Sequence, residues 1–237
     1  AGAMRLDAML SSHPIQVPIR HAEEVEEVFD AISYYKGACV VRLIHSFLGH
    51  KFFEEGLQTY MARHKYSNTE TVDLWQCWEE ASSKPVKKVM STWTEQMGFP
   101  VVTVKSVQWA DDCSTCAFDL EQKWFIADGT EHPDTKTKLW SIPILVTMGG
   151  NDGELLNLGI MDTRRSKVVV PVAGGKKTWI KFNGQQHVPI RVNYEPVAEQ
   201  VFPLFKQAIL NQEMEVTDRS GLLLDYYALT KSGTVDP

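Results

Sequence analysis

The apolar residues of this chain change their period near Pro100, and a chain with two periods must fold as two kinds of structure. Before Pro100 the spacing is helical. Val25, Val28, Phe29 and Ile32 recur at i, i+3, i+4 and i+7, and Val40, Leu43, Ile44 and Phe47 continue the stripe, with Gly37 as a joint or a close backbone approach. Phe53, Leu57, Tyr60 and Met61 mark a helix that ends before Tyr66. Thr71 is a candidate N-cap for a helix carrying Leu74, Trp75 and Trp78, with Asp73 at its positive end. Pro85 suits a first turn; Val86, Val89, Met90, Trp93 and Met97 then share one face, closed by Gly98 and Pro100.

Beyond Pro100 the period falls to two. Cys116, Phe118, Leu120, Gln122, Trp124 and Ile126 alternate with more polar neighbours, as do Trp140, Ile142, Ile144, Val146 and Met148. Further strands are predicted at 101–109, 154–161, 167–172, 178–183 and 188–194. Gly149–Gly153, Gly174-Gly175 and Asn183-Gly184 supply the positive φ that hairpins need. About seven short strands in under a hundred residues predict a small antiparallel sandwich. After Glu195-Pro196 the pattern is helical again, with Pro203 in a first turn or a kink. Asp218 reads as the cap of a last helix that is apolar on too many sides for a solvent-facing terminus.

Composition narrows the function. The 237 residues hold 24 Lys and Arg against 30 Asp and Glu, a net charge of −6, which argues against a nonspecific nucleic-acid or anionic-membrane binder. A 43% hydrophobic content fits an ordinary globular protein. No apolar run approaches the roughly 18 residues that span a bilayer, and the first residues lack a signal-peptide pattern. Ala1–Met4 read as a cloning scar. Four cysteines are too few for a disulfide scaffold, and a reducing, cytoplasmic setting is expected.

No complete active site is visible. Cys113-Ser114-Thr115-Cys116 has the spacing of a zinc ribbon or redox pair but lacks a second ligand pair, so a turn with an inward Cys116 is the competing reading. His45 and His50 are five apart with no Glu between them, unlike the H-E-x-x-H helix. Nucleophile-elbow, phosphate-loop and dinucleotide motifs are absent. Tyr34-Tyr35 remain. Adjacent tyrosines on an apolar helix usually pack in a core, yet a phenol is also a good neutral donor to a developing oxyanion, and the residues alone leave Tyr34 undecided.

Four blocks carry a resemblance: Ser12-His13-Pro14-Ile15, Phe29 through Ala38, Asp73-Leu74-Trp75, and Trp93 through Pro100. In this order they resemble the gluzincin zinc aminopeptidases of the aminopeptidase N type. Thinner likeness continues through Trp179–Asn183, Arg191–Tyr194 and Asp218-Arg219, although His187-Val188-Pro189-Ile190-Arg191 replaces the family's usual Gly-Tyr-Tyr-Arg run. The resemblance implies an α+β multidomain architecture: residues 5–99 as the helical tail of a thermolysin-like catalytic domain, 100–194 as an antiparallel β-sandwich, and 195–237 as the start of a helical domain. It implies an internal fragment of an enzyme that hydrolyses N-terminal residues from peptides. The zinc would belong to the full-length parent and not to this fragment, which lacks both H-E-x-x-H and G-x-M-E-N. Tyr34 would correspond to the family's catalytic tyrosine, with Tyr35 at a variable, packed position. The implied partners are peptide substrates and the remainder of the same chain, with neither nucleic acid nor membrane.

Two other classes compete. One is a non-catalytic helical and β-sandwich interaction module. The other is a carbohydrate- or peptide-binding sandwich using Trp109, Trp124, Trp140 and Trp179, although alternation turns several of these inward.

Overall fold

The computed structural model describes residues 2–236, with Glu27 by its backbone only. Five α-helices precede the strands: α1 (Gly2–Asp7), α2 (Gly37–Leu48), α3 (His50–His64), α4 (Thr71–Ser82) and α5 (Val86–Thr94). Gly2, Ala3 and Met4, which read as a scar in the sequence, lie within α1, and Ala3 is buried. The stripe read from Ala22 does not make one long helix. Ala22–Val28 form a 3₁₀ segment, Val25 and Phe29 are exposed, and a π-helical turn, Ile32–Lys36, leads into α2 at Gly37. Gly37 is thus a joint; a Cβ there would meet nothing.

Helix α4 is capped by Glu70 rather than Thr71. The Glu70 carboxylate accepts from the Asp73 N–H, and Asp73 Oδ2 accepts the Glu70 N–H at 2.8 Å, a reciprocal capping box. Trp75 and Trp78 stack at 5.5 Å between centroids, and Trp78 donates from its indole to the Phe53 carbonyl at 3.0 Å, which locks α4 to α3. On α5, Val86, Val89, Met90 and Trp93 are buried.

Seven strands follow: β1 (Pro100–Trp109), β2 (Thr115–Trp124), β3 (Ile142–Met148), β4 (Leu156–Met161), β5 (Arg165–Pro171), β6 (Ile180–Phe182) and β7 (Arg191–Asn193). They form two sheets, ordered β5-β2-β1-β7 and β4-β3-β6. The Phe118 ring on β2 meets Phe182 on β6 edge-on, centroids 5.0 Å apart, so one core serves both sheets. Trp124, Trp140 and Trp179 are buried in it. Every residue of β3 is buried rather than every second one, because α2 and the 184–186 turn also contact this strand.

The arrangement is not wholly antiparallel. β7 pairs with β1 in parallel, Val101 to Thr103 against Arg191 to Asn193. Asn183-Gly184 and Gly174-Gly175 therefore close no hairpin: each lies where the chain passes from one sheet to the other. Asn183 does take a positive φ of 55°, but the segment from 183 to 190 is a crossover that delivers β7 in the same direction as β1. Gly149–Gly153, by contrast, joins the antiparallel pair β3 and β4.

Two helices end the chain, α6 (Ala198–Leu210), which runs on through Pro203, and α7 (Val216–Lys231). Asp218 is not the cap of α7; Glu215 holds that position. Its carboxylate instead pairs with Lys181 at 3.1 Å and accepts from Thr147 Oγ1 at 2.9 Å and the Gln185 N–H at 2.6 Å. Asp225, two turns later on the same face, takes Arg191 Nη1 at 3.0 Å and the Val192 N–H at 3.2 Å. The opposite side keeps Leu223 and Tyr227 exposed.

Candidate functional site

Tyr34 lies in the π-helical turn, where five residues rather than four separate the bonded groups and the helix widens by one residue. The result is that both tyrosines point out: Tyr34 is 60% and Tyr35 61% exposed. The packed role implied for Tyr35 is not found, because the widened turn directs its side chain to the surface. For Tyr34, the core-packing reading is excluded in this chain and the donor reading stays open. Its only ring neighbour among the described residues is Phe29, at 6.2 Å between centroids.

The backbone beneath Tyr34 is held at both ends. At the start, Asp30 accepts the Ser33 N–H on Oδ1 at 2.8 Å and its carbonyl accepts the Tyr34 N–H at 3.2 Å. Asp30 Oδ2 meets His13 Nε2 at 2.6 Å, while His13 Nδ1 meets the Pro14 carbonyl at 2.7 Å. Asp30 raises the His13 imidazole above its ordinary pKa, chiefly through that hydrogen bond, with burial opposing. Partial burial works to raise the Asp30 carboxyl, but the bonds from Ser33 and His13 outweigh it and leave it below its ordinary range.

At the end of the turn the Lys36 ammonium is 2% exposed and fully used. Its three donors reach Asp7 Oδ2 at 3.0 Å and the carbonyls of Gln96 and Gly98, each at 3.1 Å. Burial lowers the Lys36 pKa, and the Asp7 charge opposes that shift. Asp7 Oδ1 in turn accepts Ser12 Oγ at 2.7 Å and the Gly98 N–H at 2.9 Å. Three segments distant in sequence, residues 7–12, Lys36 and the 96–98 loop, thus meet at one satisfied ion pair. Lys36 and His13 stand in the blocks that carry the family resemblance, but periodicity carries no signal for such a network, and Asp7 has no motif at all.

A cleft of about 220 Å³ opens beside His13, walled by Val17, Pro18, Ile19, Glu24 and Val28. Among the described residues no three His, Cys, Asp or Glu side chains come together as metal ligands. The residues present therefore do not fit a zinc centre. Cys113 occupies a turn with φ 54° and Cys116 is buried on β2, both as free thiols, which is the arrangement of a turn with an inward cysteine. His45 and His50 approach to 3.4 Å without a third ligand. No helix is long and apolar enough to cross a membrane among the described residues.

Known proteins resemble this chain in sequence. Residues 1–93 match the peptidase family M1 domain. Aminopeptidase M1-B of Oryza sativa subsp. japonica is 37% identical over 96% of this chain, and the puromycin-sensitive aminopeptidase of Caenorhabditis elegans 36% identical over 99%. Aminopeptidase M1 of Arabidopsis thaliana is 35% identical over 96%. The polypeptide is thus of mixed α+β structure and similar in sequence to peptidases. Its first 93 residues match the M1 peptidase domain, and its similarity to M1 aminopeptidases runs over nearly the whole chain. The chain spans about a quarter of the length of these relatives.

Proposed function

We propose that this chain is a section of a metallo-aminopeptidase of the puromycin-sensitive type, and that it contributes Tyr34 as a hydrogen-bond donor to the reaction. The observation that carries the reading is the exposed Tyr34 phenol on a turn anchored at both ends by His13–Asp30 and Asp7–Lys36. When the scissile amide of a peptide's first residue becomes tetrahedral, its oxygen gains charge. A neutral phenol O–H held at that position stabilises the charge without giving up its proton. The π-turn fixes where the ring stands, and the exposure leaves the O–H free to face a substrate. Zinc, in this reading, is bound by residues outside this chain, and so is the substrate's free amine.

The same reading assigns residues 5–99 to the end of a thermolysin-like catalytic domain, 100–194 to a β-sandwich domain and 195–237 to the first helices of a further domain. The family match over 1–93 and the start of β1 at Pro100 support the first boundary. Peptides are the substrates, the remainder of the polypeptide is the partner of the exposed apolar faces, and the free thiols of all four cysteines support a cytoplasmic location.

A second reading, a non-catalytic interaction module, draws on the apolar groove formed by Phe202, Ile209, Leu210, Leu222, Leu223 and Tyr226 between α6 and α7. One comparison separates the two. Zinc content and cleavage of a fluorogenic aminoacyl substrate are measured for this chain and for the chain extended through its upstream coding sequence. Metal and activity confined to the extended protein support the aminopeptidase section; neither metal nor activity in the extended protein supports the module.

A further inference from the structure

We infer that Lys36, through its ion pair with Asp7, is a positioning residue for Tyr34. The inference rests on the proposed role of Tyr34 and adds the group that sets its place.

Lys36 follows Tyr34 by two residues in the same π-turn and points the opposite way, inward, while the tyrosine points out. All three of its N–H donors are taken, by Asp7 of α1 and by two carbonyls of the 96–98 loop. Asp7 spends its second oxygen on Ser12 Oγ and on the Gly98 N–H. Any rotation or slide of the turn that moved the phenol would break several of these bonds at once. The bonds are charge-assisted and shielded from water, so they are stiff as well as strong. A phenol on an exposed turn has few contacts of its own to hold it: Phe29 is the one ring within reach among the described residues. The precision of the donor must therefore come from its backbone, and Lys36 is the buried side chain of that turn that fastens it to two other segments.

A buried ion pair is a poor device for stability alone. Apolar residues of similar volume often hold a fold as well or better, whereas directional bonds fix geometry. Loss of the pair is therefore expected to act on kcat through Tyr34, with the fold and substrate binding kept.

The test is a double-mutant cycle in the full-length enzyme. The variants are Tyr34→Phe, the neutral pair Asp7→Asn with Lys36→Met, and the two combined, each followed by kcat, KM and zinc content. The expected result is that D7N/K36M lowers kcat about 10- to 100-fold, the range for a misplaced reacting group. KM and zinc content are expected to hold within about twofold, and D7N/K36M to have little further effect on kcat once Tyr34 is Phe, because the group being positioned is gone. A fall in kcat of equal size with and without the Tyr34 hydroxyl would overturn the inference while leaving Tyr34 in its role, and so would unchanged kcat in D7N/K36M. Unchanged kcat in Tyr34→Phe alone would overturn the role of Tyr34, and the inference with it. Should D7N/K36M fail to fold, D7N/K36Q, which keeps an amide donor for the carbonyls and an amide partner, goes through the same cycle, and the same changes in kcat support or overturn the inference.

Discussion

Lys181 on β6 and Asp218 on α7 meet at 3.1 Å with both side chains 1% exposed, which makes the last helix an electrostatic dependent of the smaller sheet. Truncating one partner leaves a buried charge with no counter-ion. Asp218→Ala is expected to destabilise this chain by about 3–5 kcal/mol, and K181M/D218L to recover most of that loss. Urea unfolding followed by tryptophan fluorescence checks both; a D218A midpoint equal to that of the parent chain would show that the pair carries no stability.

Tyr34→Phe removes one donor and leaves the exposed ring in place. In the full-length enzyme kcat is expected to fall about 100-fold or more, with KM little changed, as for other oxyanion donors. Steady-state kinetics on an aminoacyl fluorogenic substrate read this directly, and near-normal turnover would remove Tyr34 from the mechanism.

The His13–Asp30 link has a defined pH window. Because the His13 pKa is raised in the fold, its contribution to stability is fully present below its ordinary 6.5 and is lost as pH rises through the folded value. Because the Asp30 pKa is lowered, its contribution is present above its ordinary 3.8 and is lost as pH falls through the folded value. Between the two folded values the pair is an imidazolium and a carboxylate. NMR titration of the His13 ring protons is expected to give a midpoint above 6.5 that drops in Asp30→Asn. A midpoint indifferent to Asp30→Asn would disprove the coupling.

Gly98 sits at φ 83°, and a Cβ there would overlap the Trp124 indole. Its N–H and carbonyl are also committed to Asp7 and Lys36. Gly98→Ala combines left-handed strain with overpacking and is expected to cost about 2–4 kcal/mol. Thermal unfolding measures the cost, and a melting temperature unchanged from the parent would contradict it.

Burial pushes the Cys116 thiol up to about 12, so almost no thiolate is present at neutral pH. Labelling of Cys116 by iodoacetamide at about pH 8, near the ordinary thiol pKa, is expected only at the rate of unfolding. Peptide mapping against time in dilute urea follows it; rapid labelling of the folded chain would contradict the inward placement on β2.

Much of this protein was determined by local chemistry along the chain. The switch of period at Pro100 marks where β1 begins, because a 3.6-residue stripe and a two-residue alternation each bury one face in only one kind of element. The seven strands and the helices α3 to α5 follow from it with shifts of a few residues. Since the residues alone left Tyr34 undecided, the blocks around it were legible only through their resemblance to a known family. Strand direction was not: β7 runs parallel to β1 because the segment 183–190 changes sheets, and alternation has no sign that tells up from down. Nor was the stripe from Val25 to Ile32, which a π-turn and a 3₁₀ segment divide. What only the tertiary structure decided is the setting of Tyr34. Asp7, Ser12, Lys36 and Gly98 lie as many as 91 residues apart, and they converge because a buried ammonium with three donors must find three acceptors wherever the fold supplies them.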